Sequence, residues 1–206
     1  MDFASRHLVH DAWETAMQMK YLAATAAALS ILASLAQASI IYEATLAPEA
    51  AGATGSGSVT VTYDPAAHTL GIEADWTGLS GTTTQAHIHC CTASPGAGTA
   101  GVAVSPPSLS GFPVGVTFGT YDILLDLTVA NTYSPSFITL GGGTLAGAEA
   151  ILIAGMTNGT AYFNIHTTTY PGGEIRGFPQ QVPEPATLGL LGLGLLGLAA
   201  SRLRKQ

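Results

Sequence analysis

Strict alternation of apolar and polar residues constrains this chain most. In residues 121–129, Tyr121, Ile123, Leu125, Leu127 and Val129 share one parity, with Asp122, Asp126 and Thr128 on the other. In residues 69–76, Leu70, Ile72, Ala74 and Trp76 alternate with Glu73 and Asp75, and residues 40–46 and 58–63 behave similarly. A period of two puts successive side chains on opposite faces of a strand, so these segments are half-buried antiparallel strands. Asp64-Pro65 opens a turn between the second strand and the third, and His68 beside it is expected to be solvated. One segment breaks the pattern. Leu145, Ala148, Ile151, Leu152 and Met156 recur at helical spacing, and Asn158-Gly159 ends that helix. The fold class is therefore mainly β: an antiparallel β-sandwich or barrel with one short covering helix, about 145–156, plus apolar helices at both termini.

Those terminal helices come from two apolar runs, at 21–35 and 188–200. Met19-Lys20 is a short positive region ahead of the first run, and Ala36-Gln37-Ala38 supplies small residues for a signal peptidase. Residues 19–38 thus read as a secretory signal, cleaved after Ala38. Residues 1–18 hold Asp2, Asp11 and Glu14, which suit no such signal; they read as an upstream extension, with the start at Met17 or Met19. At the other end, the uncharged stretch 185–201 would span about 25 Å as a helix, slightly under the roughly 30 Å hydrocarbon core. The basic cluster Arg202, Arg204 and Lys205 follows it and should stay cytoplasmic, leaving the domain outside.

Pro183-Glu184-Pro185, a Leu/Gly-rich span and a basic end, together residues 182–206, resemble the PEP-CTERM sorting signal of Gram-negative bacteria. The resemblance implies recognition by an exosortase near Pro183-Glu184-Pro185 and removal of the tail. The protein would be anchored transiently in the inner membrane facing the periplasm, then released to the cell surface or extracellular matrix.

Between these segments, residues 39–181 carry one base, Arg176, against nine acids. Such a domain repels phosphate backbones, which excludes nucleic acid as a partner. Its richest stretches are Ala86-His87-Ile88-His89 and Tyr162-Phe163-Asn164-Ile165-His166-Thr167, with Pro171-Gly172-Gly173 turning a hairpin into Glu174-Ile175-Arg176-Gly177. Strand parity turns Ala86, Ile88, Phe163, Ile165 and Ile175 to the core. His87, His89, Asn164, His166, Glu174 and Arg176 project from the opposite face. Together with Gly78-Leu79-Ser80-Gly81, these stretches resemble the CHRD domain, named after chordin, over about 41–178. That resemblance implies an extracellular β domain, and it supplies a fold and an address more than an activity. Many relatives continue with Gly after His89, where this chain has Cys90-Cys91.

The polar face admits two readings. His87 and His89 at i, i+2 with His166 from a second strand form a set suited to copper or zinc, with Cys90 or Cys91 as auxiliary ligands. Alternatively the face is a hydrogen-bonded network of Asn164, Glu174 and Arg176, Glu174 pairing with Arg176 or a histidine to pin strand register. The adjacent cysteines can form a vicinal disulfide, stay reduced or pair between chains. Residues 39–181 hold only four histidines (68, 87, 89 and 166), too few for the two-metal arrangement of Cu/Zn superoxide dismutase. No acid, base and nucleophile set is visible either, so a non-catalytic protein is expected. Its partners would be the secretion machinery, signal peptidase, an exosortase, the membrane through its tail, and exopolysaccharide or envelope proteins.

Overall fold

Alternation fixes which side of each strand is apolar, and pairing then bends the strands into one sheet. In the computed structural model, which describes residues 39–104, 106–183 and Gly194, β1 (Ile40–Pro48) pairs antiparallel with β2 (Ser56–Asp64). β2 pairs with β3 (Thr69–Thr77), and β3 with an edge strand that we number β6 (Gly119–Asp126). The other arm begins with β4 (Thr83–His89), flanked by β5 (Val102–Val104) and β7 (Tyr162–Thr167). β7 turns into β8 (Ile175–Gly177) through the Pro-Gly-Gly hairpin, with Ile165 opposite Ile175 and Asn164 opposite Arg176.

β1 joins the two arms. Its second edge pairs with β9 (Gln180–Gln181) at Tyr42 and Glu43, and with β8 at Ala47 and Pro48. The order β5-β4-β7-β8-β1-β2-β3-β6 is therefore one curled antiparallel sheet, a half-barrel. Among the described residues two α-helices accompany it: α1 (Pro135–Leu140) and α2 (Leu145–Thr157). The sequence anticipated α2. It missed α1, although Ser134 caps that helix by accepting from the Phe137 N–H and Pro135 occupies its first turn. The terminal apolar helices lie outside the described residues, among which no helix is long and apolar enough to cross a membrane.

The core fills the inside of the curl. Tyr42, Leu46, Val61, Leu70 and Ile72 from one arm join Ile88, Phe163, Ile165 and Ile175 from the other, beneath Ala148, Leu152 and Met156 of α2. Two tyrosines fasten α2: the Tyr63 hydroxyl donates to Glu149 Oε1 at 2.7 Å, and the Tyr42 hydroxyl meets Thr157 Oγ1 at 3.1 Å. His68, expected to be merely solvated, pairs with Glu149 at 3.0 Å while its ring stays half exposed. Val129, expected on the core face, is exposed because β6 ends at Asp126, whose carboxylate accepts from the Thr128 N–H.

A covered imidazole cluster

β4 and β7 are neighbours with His87 opposite Asn164 and Gln85 opposite His166. Pleat geometry therefore brings His87, His89, Asn164 and His166 to one face, with Ala86, Ile88, Phe163 and Ile165 in the core behind them. That face is not an open surface. His87 is 3% exposed, His89 8%, His166 6% and Asn164 1%. Loops close over it, and each supplies a backbone carbonyl to one ring. A carbonyl only accepts, so the ring nitrogen facing it must carry the proton. His87 Nε2 donates to Pro107 O at 2.6 Å, His89 Nδ1 to Ala100 O at 2.9 Å, and His166 Nδ1 to Pro171 O at 2.8 Å.

The nitrogens not facing a carbonyl are His87 Nδ1, His89 Nε2 and His166 Nε2. His87 Nδ1 and His166 Nε2 face each other at 3.1 Å. His89 Nε2 is buried with no hydrogen-bond partner among the described residues. One nitrogen from each ring lies within 4.8 Å of the others. Burial is the main influence on His87: it lowers the pKa to about 4 against the pull of the Pro107 carbonyl. Burial lowers His89 too, opposed by the Ala100 carbonyl and the Asn164 amide. At neutral pH these two rings are uncharged. Imidazole nitrogens gathered this closely, one of them buried without a partner, are what a metal ion satisfies. A tetrahedral ion bound at about 2.0–2.1 Å separates its nitrogen ligands by roughly 3.3 Å, close to the His87–His166 distance. Carbonyls on the far nitrogens are the outer support that metal-bound histidines use.

The other expected site residues divide. Cys90 and Cys91 form a disulfide with each other across a cis peptide bond, one of the three forms the sequence left open. Their sulfurs lie against α2, 4.0 and 3.8 Å from Ile151 O, and the imidazole cluster contains neither. The expectation of auxiliary thiolate ligands is corrected, because a disulfide sulfur offers no thiolate. Glu174 pairs with neither Arg176 nor a histidine. It is fully buried, and its carboxylate accepts from the Ser80 N–H and hydroxyl, the Gly81 N–H at 3.2 Å and the Thr167 hydroxyl at 2.6 Å. Gly78-Leu79-Ser80-Gly81 is thus a cradle for this carboxylate.

Arg176 instead faces Glu49, Nε to Oε2 at 3.4 Å, donates to Gly98 O at 2.8 Å and lies over the Tyr162 and Phe178 rings. Tyr162 stacks on His89 with ring centroids 4.8 Å apart. Glu49 was not singled out in the sequence, where it is one acid among nine; only the pairing of β1 with β8 brings it here. Of the sorting residues, Pro183 lies two residues past the end of β9, whereas Glu184, Pro185, Arg202, Arg204 and Lys205 lie outside the described residues.

Fold and site together define a mainly-β domain with a covered imidazole triad on one arm of a half-barrel. The chain belongs to the CHRD domain family, whose model matches residues 36–178, and a PEP-CTERM protein-sorting motif matches residues 181–205. No curated protein and no solved structure matches the chain. The sorting motif indicates export and membrane-anchored sorting in a Gram-negative bacterium, and implies processing by an exosortase.

Proposed function

We propose that this is a non-catalytic, surface-sorted protein whose CHRD domain binds one zinc or copper ion through His87 Nδ1, His89 Nε2 and His166 Nε2. One observation carries the reading: three buried imidazoles, each held by a loop carbonyl, bring one nitrogen apiece within 4.8 Å of the others, with His87 Nδ1 and His166 Nε2 facing each other at 3.1 Å. A purely structural network would share protons between the rings. Here one N–H of each ring is spent on a loop carbonyl, and burial disfavours a bridging charge at His87 and His89. The ion would tie the loops carrying Ala100, Pro107 and Pro171 to the sheet, a fitting role for a domain that works outside the cell.

The test is metal analysis of natively exported protein, followed by chelator stripping and titration with Zn²⁺ and Cu²⁺. The wild type should take up one equivalent, and His89→Ala should bind at least about 10-fold more weakly, since losing a ligand costs no less than losing its outer support. Equal, weak uptake by the two proteins overturns the assignment.

A further inference from the structure

Three imidazoles leave a four-coordinate ion one position short, and Asn164 stands beside them. Resting on the metal reading above, we propose that Asn164 Oδ1 is the fourth ligand, so that protein alone closes the site.

The argument begins with the amide's orientation. Asn164 Nδ2 donates to Glu49 Oε1 at 3.1 Å, and an ionised carboxylate can only accept. The NH₂ end is therefore committed to Glu49, and the oxygen points the other way. That oxygen is buried and has no hydrogen-bond partner among the described residues. His89 Nε2 is in the same condition, and both side chains lie on the face that β4 and β7 share, Asn164 opposite His87. Two buried acceptors on one face are left without a donor. A cation satisfies both at once.

Glu49 is itself held in place. Arg176 Nε approaches its second oxygen at 3.4 Å, and the guanidinium is kept there by Gly98 O and the Tyr162 and Phe178 rings. Gly173 flanks it at φ 126°, where a Cβ would run into Glu49 Oε1. The only base of residues 39–181 thus serves to place an amide oxygen two contacts away. Such outer support is what orients metal ligands.

The donor set has consequences. Three borderline imidazole nitrogens and one hard oxygen suit a divalent ion, Zn²⁺ or Cu²⁺, better than Cu⁺, which favours soft donors. A site closed by four protein ligands holds its ion and leaves no position for water or substrate, the arrangement of structural centres.

The experiment uses the full chain with Zn²⁺ and Cu²⁺ as probes. X-ray absorption on the zinc form and electron spin resonance on the Cu²⁺ form read the ligand set and any exchangeable water. Wild type should show three imidazoles, one further oxygen and no exchangeable water. Asn164→Leu should admit water and bind Zn²⁺ about 10–100-fold more weakly. Glu49→Gln should behave similarly: its amide can donate to Asn164 Oδ1 and let that group turn its NH₂ toward the metal. Far-ultraviolet circular dichroism checks folding; if Asn164→Leu misfolds, Glu49→Gln alone decides. Wild-type affinity and unchanged spectra in the folded variants overturn the fourth ligand while leaving the metal reading intact. A wild type that binds neither ion overturns both.

Discussion

At the scale of single residues, Glu174 shows how a buried charge is retained in a domain with so little polar surface inside. Burial alone would raise its pKa. The Ser80, Thr167 and Gly81 donors more than offset that, and the carboxyl is held below its ordinary value. Glu174→Gln would turn an NH₂ group onto donors that already fill the site and leave at least one of them unpaired. A loss on the order of 3 kcal/mol is expected, read as a shift in denaturant midpoint; an unchanged midpoint would contradict the cradle. The pH dependence has a definite sign. Because the folded pKa is depressed, the stabilisation is present above the unfolded value near 4.3 and is lost as pH falls through the folded value. Urea melts between about pH 5 and 3 should therefore fall more steeply for the wild type than for Glu174→Gln.

At the scale of elements, alternation and helical spacing show which segments are strands and which is a helix, but not what lies over them. β3 and β6 follow their parity residue by residue, and α2 ends where Asn158-Gly159 says it should. The spacing His87-x-His89 put both rings on one face, and the hairpin before β8 brought Asn164 opposite Arg176. What stayed hidden is that this face is covered. The loops supplying Ala100 O, Pro107 O and Pro171 O are Gly-, Pro- and Ser-rich, with no periodicity to announce burial. Glu49 was invisible because the end of β1 changes partner, a long-range event that no local pattern encodes. The seat of the Cys90–Cys91 disulfide is hidden for the same reason. A Cβ on Gly155 of α2 would strike both sulfurs, so glycine there is dictated by the packing. Gly155→Ala should destabilise by about 1–3 kcal/mol through overpacking, despite alanine's roughly 1 kcal/mol advantage in a helix. A raised melting temperature would show that α2 does not rest on the disulfide as described.

At the scale of the whole molecule, the two ends of the folded domain meet. Val182 donates its N–H to Ile41 O at 2.8 Å, and Gln181 lies opposite Tyr42, so the chain leaves the sheet beside the point where it joined it. The sorting motif begins at residue 181, inside β9, and Pro183 is the first residue past that last backbone bond. A processing enzyme that takes its substrate as an extended segment needs several residues free of the fold. On that footing β9 is expected to peel from β1 before the Pro-Glu-Pro segment is engaged. Peeling is inexpensive, because both residues of β9 are exposed and terminal strands open at low free energy. It would still set the fraction of time the segment is available. Inserting about ten Gly/Ser residues between Val182 and Pro183 removes that requirement while leaving β9 paired, since such a linker is a flexible coil. Pulse-chase labelling in the native host should show faster conversion of the tailed form to the processed form in the insertion variant. Identical rates would mean that the sheet end places no limit on sorting.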